Sequence, residues 1–73
     1  MNIDTLNAAI AEEFEIETSA ITPEASIKET LELDSLSLLD LVAVVERETG
    51  VKLNGTEAVK LLTFQALYDH LGL

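Results

Sequence analysis

The chain has no cysteine and no tryptophan, and its 73 residues include one proline, three glycines, two phenylalanines and one tyrosine. Without thiols, neither a disulfide nor a cysteine-based zinc site can staple so short a chain. No side chain can form a thioester, so any thioester chemistry needs an external cofactor. With so few aromatics the core must be Leu, Ile, Val and Ala, near the lower size limit at which such packing sustains one domain. Bases are scarce as well: four Lys and Arg against fourteen Asp and Glu leave a net charge of -10. A field of that sign repels nucleic-acid backbones and anionic lipid surfaces, so basic protein partners are expected and nucleic acid is not. The longest apolar run, Leu41 to Val45, falls far short of the roughly 20 residues a membrane span requires. No basic leader precedes an apolar stretch, so a cytoplasmic monomer is expected.

What is present centres on residues 31–48, LELDSLSLLDLVAVVERE. Asp34 and Ser35 stand ahead of a long run without Gly or Pro, which predicts a helix from one of them to Gly50, where a residue lacking Cβ can close it. At about 100° per residue, Leu38, Leu41, Val42, Val45 and Thr49 share a core-facing arc, and Val44, Ser37 and Glu48 fall opposite it in water. On the side of Ser35 lie Leu36, Leu39 and Ala43, edged by Asp40, Glu46 and Arg47. This second apolar strip, rimmed by charge, is either a contact surface for another protein or lies beneath a neighbouring segment.

Around this helix the chain reads as three further helices and loops. Ile3, Leu6, Ile10 and Phe14 recur at helical spacing and predict a first helix over 2–15 with those four turned inward. Glu12, Glu13, Glu15 and Glu17 lack the spaced oxygens and turn glycine of a calcium loop and read as solvated charge. From Glu17 to Leu33 the periodicity fails, and a loop so long in so small a domain must be functional or pinned. Ile21, Ile27, Leu31 and Leu33 are the expected pins, with a short helical turn over 25–30. Thr56 is expected to cap a short third helix over 57–62 with Val59 and Leu62 on the core, and Thr63 a last helix from Phe64 to Leu71. The predicted fold is an all-α four-helix bundle, three longer helices plus one short, with no sheet.

Leu33-Asp34-Ser35-Leu36, opening an acidic and leucine-rich helix midway along a chain of this size, resembles the Asp-Ser-Leu attachment motif of acyl carrier proteins. The resemblance covers nearly the whole chain. It implies that Ser35 is esterified by a 4'-phosphopantetheine arm taken from coenzyme A, whose thiol carries acyl groups as thioesters. It implies a role for Asp34 beside a metal ion used by the phosphopantetheinyl transferase, and a docking face of Leu36, Leu39, Asp40, Ala43 and Glu46 for acyl-loading and acyl-processing enzymes with basic patches. The first turn of a helix, with unpaired N–H groups and partial positive charge, favours a phosphodiester there. Ser35 or Asp34 could equally be a plain N-cap, and if Asp34 caps, Ser35 is free.

This chain departs from the family pattern at Glu32, where a glycine is common, at Ser37, a position often acidic, and at Arg47, which interrupts the acidic series. The expected function is therefore a carrier, not an enzyme, for fatty acid, polyketide or specialised lipid synthesis. The alternatives are an aminoacyl carrier of the D-alanyl type and an unmodified acidic interaction module. His70, the only histidine, reads as a surface cation in a final helical turn, and Tyr68 as an aromatic at the edge of the core.

Overall fold

The computed structural model describes residues 2–73. Its elements are α1 (Ile3–Phe14), a 3-10 turn (Thr18–Ala20), α2 (Ile27–Leu31), α3 (Ser35–Thr49), α4 (Gly55–Ala58) and α5 (Phe64–Leu71). Three of these helices are long, and no strand is present among the described residues. The only sheet-like pairing is an isolated bridge between Ser26 and Thr63. The expected helical bundle is what forms. Among the described residues no helix is long and apolar enough to cross a membrane.

The helix limits follow from local chemistry. Asn2 caps α1 by accepting the Thr5 N–H at 2.8 Å, Ser26 caps α2 through Glu29 N–H at 3.2 Å, and Thr63 caps α5 through Ala66 N–H at 3.2 Å. Left-handed residues end them: Glu15 after α1, Glu32 after α2, Gly50 after α3 and Gly72 after α5. Two of these four are glutamates, which carry a Cβ where glycine would carry none.

The core joins Leu6, Ile10 and Ala11 of α1, Ile21 of the loop, Ile27 and Leu31 of α2, Leu41, Val44 and Val45 of α3, Leu53, and Phe64, Leu67 and Tyr68 of α5. Ile3 and Phe14 pack against it only in part, while Ala11, not singled out by the helical spacing, is buried. Tyr68 is 1% exposed, inside the core instead of at its edge, and its hydroxyl donates to Asn7 Oδ1 at 2.6 Å, tying α5 to α1.

Two further expectations fail. Val44 is 1% exposed, not in water. The inward stripe of α3 runs through Leu41, Val44 and Val45, rotated by about 60° from the expected arc at 100° per residue. Leu38, Val42 and Thr49 become its half-buried flank. The second failure is at α4, which starts earlier, capped by Asn54 (Glu57 N–H to Oδ1, 2.7 Å), and stops at Ala58. That earlier phase turns Ala58 and Leu61 inward and leaves Val59 and Leu62 59% and 71% exposed.

The loop before α3 is pinned as expected by Ile21, Ile27 and Leu31, with Leu33 partly buried. Its backbone is also stitched to the segment before α5: Ile27 N–H donates to the Leu62 carbonyl at 3.1 Å, Phe64 N–H to Ala25 at 3.3 Å and Gln65 N–H to Pro23 at 2.9 Å. The loop is thereby fixed in front of α3, which positions the site.

Candidate functional site

The chain enters α3 through Asp34, whose extended backbone and short carboxylate make it the N-cap. Asp34 Oδ1 accepts the Leu36 N–H at 3.0 Å, the Ser37 N–H at 2.8 Å and the Ser37 hydroxyl at 3.0 Å. The Asp34 N–H in turn donates to Ser37 Oγ at 2.8 Å, completing a reciprocal capping box. These donors, the Ser37 amide first, then the Ser37 hydroxyl and the Leu36 amide, hold the Asp34 carboxyl below the usual carboxylate range.

Ser35 is the first residue inside the helix and is exposed. With Asp34 and Ser37 sharing the cap, its hydroxyl takes part in none of the side-chain hydrogen bonds among the described residues. The N-cap is thus Asp34, and the serine beside it is free. The same cap corrects one expectation: the Leu36 and Ser37 amides are spoken for, so an anion at Ser35 meets the helix field without those two donors.

Ser35 and Asp34 stand at the rim of a cavity of about 590 Å³. Its walls are aliphatic: Ile27 and Leu33 on the loop side, Leu38 and Leu41 on α3, and Ala58, Val59, Leu61 and Leu62 from the α4 segment. Lys28 and Ser26 complete the lining. Val59 and Leu62, expected in the core, are therefore site residues. The dipeptide Asn54-Gly55 ahead of a Glu at the third helical position was the signal for the earlier helix start that puts them there. Ser37 was likewise readable as the partner of Asp34, three residues on, although a Ser is a less usual third member of such a box than Glu or Gln.

A second, more open depression of about 660 Å³ lies between α1 and the far end of α3, among Glu12, Glu13, Glu15, Arg47 and Glu48. It is polar, and Arg47 there is engaged by Glu48 at 3.1 Å. None of the motif residues borders it. His70 Nε2 lies 3.6 Å from Glu57 Oε2, joining the ends of α4 and α5 without any contact to Ser35.

On the outside of α3, Leu36 and Leu39 are 76% and 63% exposed. Asp40, Ala43 and Glu46 are exposed with them. The rotation that buries Val44 turns this strip more squarely away from the core, and no neighbouring segment lies over it. The residues singled out by sequence thus fall into two adjoining groups, one at the mouth of the cavity and one on the outer face of the same helix.

Comparison with known proteins agrees with that geometry. A family model described as "Phosphopantetheine attachment site" matches residues 4–71. The acyl carrier protein of Thermosynechococcus vestitus is 34% identical over 67 residues, covering 92% of this chain and 83% of that protein. The acyl carrier protein of Rubrobacter xylanophilus is 37% identical over 60 residues, covering 82% of this chain and 74% of that protein. With the match running from the first turn of α1 to the last of α5, this chain belongs to the phosphopantetheine-attachment family of acyl carrier proteins, which are carriers of 4'-phosphopantetheine and not catalysts.

Proposed function

We propose that Ser35 is the residue of this chain that carries the 4'-phosphopantetheine arm, and that the 73 residues act as a single acyl carrier domain. The observation that supports it above all is the division of labour at the start of α3: Asp34 and Ser37 do the capping, and the Ser35 hydroxyl stays exposed and unengaged. When bound, the arm supplies a terminal thiol that holds an acyl group as a thioester, the group a cysteine-free chain cannot provide. The chain's own residues orient and shelter. Ser35 fixes the point of attachment, Asp34 holds the backbone turn that presents it and offers a free carboxylate oxygen to a metal ion brought by the transferase, and the aliphatic walls beside it can admit an acyl chain.

The outer strip of Leu36, Leu39 and Ala43 with Asp40 and Glu46 serves as the docking face. Apolar contact at its centre supplies affinity, and the acids at its edge steer basic patches of the transferase and of the acyl-loading and acyl-processing enzymes. Incubation with coenzyme A, magnesium and a promiscuous phosphopantetheinyl transferase tests the assignment. One arm's mass should be gained by the wild-type chain and none by Ser35→Ala. No gain in the wild type, or a gain retained in Ser35→Ala, overturns it. Offering the modified chain to fatty acyl, polyketide and D-alanyl ligases then identifies the cargo.

A further inference from the structure

A phosphodiester attached to Ser35 places an anion where the fold offers few groups to meet it. Two of the three first-turn amides of α3, those of Leu36 and Ser37, already donate to Asp34 at 3.0 and 2.8 Å, which leaves the Ser35 amide. Asp34 itself is a carboxylate one residue away, in a chain of net charge -10. Of the twelve residues lining the cavity at whose rim Ser35 stands, one is a cation, Lys28.

Lys28 is exposed and, among the described residues, makes no ion pair. Its placement is set by the backbone: its carbonyl accepts the Leu33 N–H at 3.0 Å, which fastens the last turn of α2 to the chain two residues before Ser35. A lysine stem can lie along aliphatic walls such as Ile27 and Leu33 while the ammonium stays at the wet rim. Arg47, by contrast, sits in the last turn of α3, at the far end from Ser35, and is held by Glu48 at 3.1 Å.

We propose, resting on the carrier reading above, that Lys28 is a positioning residue for the arm: its ammonium pairs with the phosphodiester on Ser35 and holds the root of the arm over the aliphatic mouth. The pair is charge-assisted at a site where two of the first-turn amides, Leu36 and Ser37, are otherwise occupied, and it turns the chain attached beyond the phosphate toward the cavity instead of bulk water. Its strength falls with added salt because the rim is exposed.

The test uses the full chain carrying an isotope-labelled arm, as wild type, K28R, K28Q and K28E, each driven to complete modification and verified by mass. Absence of mass gain in the wild type would remove the carrier reading itself, before Lys28 is at issue. With modification complete, NMR should show contacts between the arm's geminal methyls and the Ile27 and Leu33 methyls in the wild type and K28R, and their loss in K28Q and K28E. The Lys28 Hε and Cε resonances should move between the unmodified and modified wild type, and high salt should reverse that movement. Arm contacts of equal intensity in the wild type and K28Q, or Lys28 resonances unmoved by modification, would overturn the proposal.

Discussion

Glu32 ends α2 at φ 51° and ψ 49°, the left-handed region, two residues before Asp34. For a residue with a Cβ that conformation costs roughly 1–2 kcal/mol through crowding against the carbonyl. Glycine escapes the crowding but gives up about 0.4–1 kcal/mol through the extra freedom of its unfolded chain. The difference predicts that Glu32→Gly stabilises the fold by about 0.5–1 kcal/mol, which for a domain of this size raises Tm by roughly 2–8 °C. The hydrogen bonds that define the turn are main-chain and survive: Glu32 N–H to the Glu29 carbonyl at 3.3 Å and Leu33 N–H to Lys28 at 3.0 Å. The change also removes one of fourteen acids, so part of any gain could be electrostatic. Glu32→Gln isolates that part, since it keeps the Cβ and loses the charge. Urea unfolding followed by helical circular dichroism at physiological salt is the assay, with an unchanged m-value required for the comparison. Glu32→Gly should exceed Glu32→Gln in midpoint. If the glycine variant is no more stable than the glutamine variant, the assignment of backbone strain to Glu32 is wrong.

Val44→Ala should cost about 2 kcal/mol by removing buried methyls, whereas Val59→Ala, at an exposed site, should stay within about 0.5 kcal/mol in the same melts. Asp34 has a depressed carboxyl, so its cap contributes stability above the ordinary carboxylate value of about 4 and loses it as pH falls through the lower folded value. The stability gap between wild type and Asp34→Ala should therefore narrow as melts are taken to lower pH, and a gap constant with pH would refute the ionic cap. Burial raises the Tyr68 hydroxyl above its usual value, with Asn7 opposing and Asp4 reinforcing the shift. Its stabilisation is present below pH about 10 and lost as pH rises further, and Tyr68→Phe should abolish that alkaline loss while costing about 1 kcal/mol at neutral pH for the unpartnered Asn7. Asp40→Lys or Glu46→Lys should slow transferase association with a reduced salt dependence and shift the melt no more than Glu24→Lys, an exposed acid off this strip, through the lowered net negative charge; unaltered association would mean the outer face is misassigned.

How much of this was legible in the residues varies with the kind of signal. Some caps and stops could be read because they are written in single side chains: Thr63 and Gly50 stand where the chemistry of helix ends requires them, whereas the choice between Asp34 and Ser35 as cap is settled by the hydrogen bonds to Asp34 and the ends at Glu15 and Glu32 carry no such mark. The outer strip was legible because Leu36, Leu39 and Ala43 are too many apolar groups for one helix to hide on two sides. The facing of α3 was not, since a run such as Val42 to Val45 offers aliphatic residues on nearly every side and only the packing against α1 and α4 decides which of them go inward. For α4 the deciding datum was a shift of two residues: two possible caps, Asn54 and Thr56, imply opposite fates for Val59 and Leu62. Short helices carry too few turns for periodicity to choose between such alternatives.

The hydrogen bond from the Ile27 N–H to the Leu62 carbonyl joins two of the segments that line the cavity, the start of α2 and the chain after α4. A guest that swelled the interior could not prise those segments apart without leaving an amide and a carbonyl unpaired, whereas among the described residues no hydrogen bond joins α3 to α1 or α4, so α3 is the wall that would shift at lower cost. On the proposed assignment of Ser35 and the outer strip, the same helix carries the tether point at one end and the landing strip along its back. Cargo size inside would then be felt by an enzyme outside as a tilt of the surface it grips.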